Sequence, residues 1–162
     1  MIKKPLFREM FYMLFIVAAL NVLAIKFYLY WSLKEFDSLV HFLGGACVSL
    51  IFVWLFFYSG LFAPKDRSLK NFLVVSILGV IFVGILWEIY EILVGATDVS
   101  DSEYAFDTSL DIVMDTLGAL SACFYAYIRE IDISFKDKIN NLANPNNSDN
   151  PLNNYNEQNQ RT

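Results

Sequence analysis

Four long apolar runs alternate with short polar gaps along this chain. The runs cover about 11–31, 39–62, 72–94 and 109–128. A helix rises 1.5 Å per residue, so about 20 residues cross a hydrocarbon core of about 30 Å. Each run reaches that length. The pattern predicts an all-α fold: a polytopic membrane protein built as a four-transmembrane-helix bundle. The gaps at 33–38, 63–70 and 95–106 are short enough to join neighbouring, antiparallel helices. After Asp132 the chain turns polar and then Asn-rich, with Asn140-Asn141, Asn146-Asn147 and Asn153-Asn154. Such a segment has too little apolar surface to offset its conformational entropy. The expected division is a transmembrane domain over 1–132 and a polar, disordered cytoplasmic tail over 133–162.

Lys3, Lys4 and Arg8 precede the first run, as they would in a signal peptide. That run is longer than a usual signal core, and no small-x-small cleavage site follows it, so a retained helix is expected. Basic residues then orient the bundle. Lys3, Lys4, Arg8, Lys65, Arg67, Lys70, Arg129, Lys136, Lys138 and Arg161 all fall on one side of a four-span topology. Only Lys26 and Lys34 fall toward the other. Cytoplasmic segments carry the excess of Lys and Arg. Both termini are therefore expected in the cytoplasm, and the 33–38 and 95–106 loops outside.

Composition agrees with a bilayer as solvent. Hydrophobic residues make up 56% and charged residues 18%, against about 45–50% and about 25% in soluble domains. The net charge of −5 speaks against a nucleic-acid partner, which would need a basic face. Cys47 and Cys123 lie inside apolar runs and read as small hydrophobes rather than a disulfide.

Ionisable residues inside spans are costly and face a bundle interior or a wet cavity. Here Asp37 and His41 open the second helix, Glu88 and Glu91 lie near the end of the third, and Asp107, Asp111 and Asp115 open the fourth. The topology brings all seven to one end, expected to face outward. Spacings of three and four place each group on one helix face. Gly44, Gly45, Gly84, Gly95 and Gly118 accompany those faces, and small residues let membrane helices approach closely. These seven residues are the candidate binding cluster. Six carboxylates and one imidazole cannot all be ionised together in a low dielectric without a cation or protons. Lys26 offers one positive charge.

A metal is one answer. The chain has one histidine, which excludes His-rich catalytic zinc sites and paired Glu-x-x-His di-iron sites. An oxygen-dominated site suits Mg²⁺, Mn²⁺ or Ca²⁺. Plainer readings stand beside this one. Asp37 and Asp107 fit helix N-caps, and His41 fits a hydrogen-bonded structural residue. Trp31, Trp87, Tyr28, Tyr30 and Tyr90 fit an interfacial aromatic belt. Asp98, Asp101 and Glu103 fit a solvated loop.

Three segments occur in order: Asp37-x3-His41-Phe42-x-Gly44-Gly45, then Trp87-Glu88-x-x-Glu91, then Asp107-Thr108-x-x-Asp111-x3-Asp115-x-x-Gly118-Ala119-Leu120. The set resembles the YjdF-like family of bacterial inner-membrane proteins and, more loosely, VanZ-like membrane proteins. The likeness covers about half the chain. Family members often have further helices ahead of the first segment, and Ser109 stands where a Gln commonly follows Asp-Thr. The resemblance implies a bacterial cytoplasmic membrane and no defined activity. Three functions remain open. One is a pocket for a cation or polar envelope ligand. Another is a metal-assisted hydrolase or transferase on a lipid or cell-wall precursor. The third is a proton or cation pathway, for which Asn21, Ser49, Ser76 and Ser121 are the polar candidates deeper in the spans. Beside these three stands a structural or partner-binding role, in which the acids pair with Lys26 or with a partner's bases.

Overall fold

In hydrocarbon, every backbone N–H and C=O must be satisfied within its own segment, so long proline-free apolar runs become helices. The computed structural model describes residues 6–62, 64–95, 100, 102 and 104–143. Among the described residues it contains no strand. Helix α1 covers Phe7–Lys26, the short α2 Leu29–Ser32, and α3 Lys34–Val53, which continues into a π-helical turn at Trp54–Tyr58. Helix α4 covers Leu69–Val94 and α5 Tyr104–Ala143. Four helices are long and apolar enough to cross a membrane: Phe7–Lys26, Glu35–Tyr58, Leu69–Val94 and the α5 stretch Tyr104–Asn140.

The helices differ from the apolar runs in a consistent way. All four begin three to five residues before the run that marks them, because hydropathy reports the hydrocarbon zone and a helix continues into the polar interface. The first helix departs further. It stops at Lys26 instead of about residue 31, because Tyr28 adopts the left-handed conformation with φ of 57°. Residues 29–32 then form a separate turn. The segment from 133 is helical as far as Ala143, not disordered from its start. The Asn-rich remainder lies outside the described residues, as do Lys3, Lys4, Asp98, Asp101 and Glu103.

The chain divides into two compact units, Met1–Ala126 and Tyr127–Thr162. In the second, the Lys136 ammonium lies 2.7 Å from the Asp132 carboxylate one helical turn away, with both side chains exposed. The first three spanning segments, α5 as far as Ala126 and the candidate cluster belong to the first.

There α3 is central, touching α1, α2 and α4 and crossing α5 at backbone contact. A Cβ on Gly45 would lie 2.1 Å from the Asp115 carbonyl oxygen, and one on Gly118 would lie 1.9 Å from that of Phe42. The two glycines are therefore what allows this crossing. Gly79 does the same for the Phe52 ring between α3 and α4, at 2.5 Å. Gly95 has a different task. Its φ of 72° ends α4 in a left-handed cap, with open space around it.

The buried faces follow helical spacing. Along α5, Asp111, Gly118, Ala119, Ala122, Cys123 and Ala126 are buried. Along α4, Phe72, Ser76, Gly79 and Val80 are buried. The outward faces stay apolar, with Leu78, Ile81, Phe82 and Ile85 exposed on α4 and Phe11, Phe15 and Val22 on α1. Lipid is the solvent that suits such surfaces.

At the end of α3 remote from His41, the Phe57 and Phe72 rings stack with centroids 4.2 Å apart. The Arg67 guanidinium donates to the Phe57 carbonyl at 2.8 Å, capping the π-helical turn. The Asp66 carboxylate accepts from the Ser68 backbone N–H at 3.0 Å and the Asn71 amide at 2.9 Å, which sets the start of α4.

Candidate functional site

His41 and Asp37 sit one turn apart on α3, and α5 brings Asp111 and Asp115 against them. The His41 Nε2 atom lies 3.8 Å from Asp37 Oδ1 and 3.7 Å from Asp111 Oδ1. On the other side of the ring, Nδ1 lies 3.5 Å from Asp115 Oδ1. One imidazole is thus held between three carboxylates from two helices. The site is well enclosed: the side chains of His41 and Asp111 are 12% and 10% exposed, while Asp37 opens outward at 31%.

The close approach has a visible cause. The Gly45–Gly118 crossing pulls α3 onto α5 one turn below the cluster. Gly44 of α3 and Gly84 of α4 flank the Asp115 carboxylate. A Cβ on either would stand 4.0 Å from one of its oxygens, an ordinary contact. Gly84 thus places α4 beside the same carboxylate.

Satisfaction within the cluster is incomplete. Asp111 Oδ1 is buried and has no hydrogen-bond partner. Its separation from the imidazole exceeds hydrogen-bond length. A buried carboxylate oxygen left this way is costly. The Nε2 atom of His41 with one oxygen each of Asp37 and Asp111 forms a set of three donors, all within 4.8 Å of one another.

The other expected members lie around this centre. Glu91 is within electrostatic range of His41, Asp37 and Asp111, and its Oε1 accepts from the Trp87 indole N–H at 2.9 Å. Glu88 accepts from the Tyr104 hydroxyl at 3.4 Å, which links α4 to the start of α5. Asp107 is exposed in the first turn of α5, within electrostatic range of Asp37 and Asp111. All seven candidates therefore gather at one end. Four make the contacts and three surround them.

Several expectations change. Asp37 and Asp107 are not N-caps: α3 is preceded by Leu33, and both acids lie within the first turn of their helices, where a negative charge still suits the helix dipole. Lys26 does not reach the cluster. Its ammonium stands 5.8 Å from the Phe27 ring centroid, and among the described residues it forms no ion pair with the acids. Ser49 and Ser76 are tied to each other, with hydroxyls 3.0 Å apart, and Ser49 lies 3.1 Å from the Ala119 carbonyl.

Three participants escaped the sequence reading. Trp87, expected in the aromatic belt, holds Glu91; their four-residue spacing was the available signal. Tyr30, also expected in the belt, lies within electrostatic range of Asp37 and Glu91. Tyr104 reaches Glu88 across a loop, and no spacing rule could have paired them. Tyr28 and Tyr90 are exposed; the side chains of Trp31 and Lys34 lie outside the described residues.

Four membrane-length helices, with a carboxylate–imidazole cluster buried where three of them meet, define a polytopic membrane protein. The chain belongs to the family described as predicted membrane protein DUF2238, whose profile matches residues 3–131 and so takes in every cluster residue. No curated protein and no solved structure matches it significantly.

Proposed function

We infer that this membrane protein binds a cation at the Asp37–His41–Asp111 end of its bundle. One observation carries the reading. Asp111 Oδ1 is buried without a hydrogen bond inside a set of three donors close enough to share one ion. The charge balance points the same way. Asp37, Asp111, Asp115 and Glu91 surround a single imidazole that supplies at most one positive charge, and Lys26 stands apart. An added cation offsets that excess, and a positively charged group on an envelope ligand would meet the same demand. The bias of Lys and Arg supports an orientation with both termini inside and the cluster facing out, and the resemblance to the YjdF-like family supports a bacterial-type cytoplasmic membrane. The ordered motifs that resemble the YjdF-like family coincide with the three helices that build the cluster.

The test compares purified wild type with the Asp37→Asn/Asp111→Asn double variant. Elemental analysis and cation titration in detergent should find a stoichiometric divalent cation in the wild type and none in the variant, with helix content unchanged. Equal cation content in both proteins would refute the reading.

A second reading shares the same atoms. Three protein donors leave coordination positions free for water or substrate, as in catalytic metal sites. Asp37 is the most open of the three, so those positions would face the end of the bundle. Metal-dependent turnover of a lipid or cell-wall precursor would establish it. A proton or cation pathway draws no support from Ser49 and Ser76, which are occupied by each other and by Ala119.

A further inference from the structure

The cation reading leaves open which ion binds, which atoms hold it, and what Asp115 does. The histidine decides between ion classes. Mg²⁺ and Ca²⁺ take oxygen donors, whereas imidazole nitrogen suits first-row transition ions. Resting on that reading, we propose that His41 Nε2, Asp37 Oδ1 and Asp111 Oδ1 are the ligands of a first-row divalent transition ion, and that Asp115 is the positioning residue that holds the imidazole through Nδ1.

The distances carry the ligand set. Donors each about 2.0–2.2 Å from one tetrahedral ion stand roughly 3.3–3.6 Å apart. The observed 3.7 and 3.8 Å from Nε2 to the two oxygens are slightly wider, and all three donors lie within 4.8 Å of one another, so side-chain adjustment around an ion would close the set. Asp111 supplies the second, independent sign. Its side chain is nine-tenths buried, and its unbonded Oδ1 lies within the set of three.

Asp115 occupies the opposite edge of the ring. Its Oδ1 faces Nδ1 at 3.5 Å, while Asp37 and Asp111 face Nε2. A proton kept on Nδ1 and shared with Asp115 leaves the Nε2 lone pair for an ion. Metal-ligating histidines commonly donate their second N–H to a carboxylate in this way, which fixes the tautomer. Gly44 and Gly84 flank that carboxylate.

The chain's only histidine makes the test clean. Full-length protein carrying a tag without histidine is labelled with ¹⁵N-histidine, so both imidazole signals belong to His41. Zn²⁺, Mg²⁺ and Ca²⁺ are titrated separately into wild type, His41→Gln, Asp115→Asn and Asp115→Leu. The proposal expects Zn²⁺ to bind more tightly than Mg²⁺ or Ca²⁺, to shift the Nε2 resonance, and to leave the proton on Nδ1. His41→Gln should remove that preference. Asp115→Leu should weaken Zn²⁺ roughly 10–100-fold, the range expected for loss of such a partner. Asp115→Asn, which keeps an acceptor oxygen, should fall between.

Mg²⁺ or Ca²⁺ binding as tightly as Zn²⁺, with unmoved imidazole resonances, would overturn this proposal and leave the cation reading standing. No binding of any cation would end both. Zn²⁺ on Nδ1, or a proton held on Nε2 in the loaded protein, would remove the positioning role of Asp115. If Asp115→Leu does not fold, the wild-type resonances and the Asn variant still decide.

Discussion

The same three helices carry two polar regions of opposite character. Near one end, His41 sits among Asp37, Asp111 and Asp115 at 3.5–3.8 Å, and Asp111 Oδ1 goes without a hydrogen bond. Two turns along α3, about 12 Å at 1.5 Å per residue, Ser49 meets Ser76 at 3.0 Å and the Ala119 carbonyl at 3.1 Å. The buried Cys123 thiol lies beside that same Ser76. Both regions are enclosed, and both join α3, α4 and α5. The serine region is small, neutral and satisfied, so it acts as a clamp between helices. The carboxylate region leaves the buried Asp111 Oδ1 without a hydrogen bond, the demand that the proposed cation would meet. Satisfaction of buried polar atoms, rather than their presence, separates scaffold from site.

The largest effect should come from the charged region. Asp111→Asn alone should lower divalent-cation affinity at least about 100-fold, or about 2.7 kcal/mol at 1.4 kcal/mol per tenfold. Calorimetric titration of the detergent-purified protein reads this. A change below about threefold would place Asp111 among bystanders.

The next effect tests the scaffold. Gly118→Ala should destabilise the bundle by roughly 3 kcal/mol, at the upper end of the usual overpacking cost, because its Cβ would meet the Phe42 carbonyl oxygen at 1.9 Å. Gly44→Ala, with 4.0 Å of clearance, should be close to neutral. Unfolding in mixed micelles compares the two. Equal losses would show that the α3–α5 crossing does not depend on Gly118.

Ser49→Ala should cost about 0.6–1.7 kcal/mol, as interhelical hydrogen bonds in membranes do. It should leave cation affinity unchanged. An accompanying loss of affinity would show that the two regions are coupled and weaken the contrast between them. Smallest of all, Glu88→Gln should change affinity less than about threefold. Glu88 accepts from Tyr104, and a Gln carbonyl oxygen can take the same bond. A large loss would move Glu88 from the surroundings into the ligand set.

Much of this was legible along the chain. Four apolar runs and their lengths determined four helices, because a bilayer leaves a backbone few other ways to satisfy itself. Spacings of three and four placed Asp37 with His41 and Asp111 with Asp115 on shared faces, because a helix repeats every 3.6 residues. The topology placed all seven candidates at one end. Helix ends were less legible. Apolarity marks the lipid zone, and the left-handed Tyr28 that ends α1 carries no glycine to announce it.

Only the tertiary structure decided which acids touch the histidine. Periodicity relates residues along one helix, while the turn at which two helices cross depends on backbone contacts. Here Gly45 and Gly118 set that level between α3 and α5. They bring Asp111 and Asp115 to opposite edges of the same ring, and they leave Lys26, Glu88 and Asp107 out of contact with it. Seven residues with similar sequence credentials thus separate into those around the imidazole and those that surround them, because contact between helices is a property of the packed crossing and not of any single run of residues.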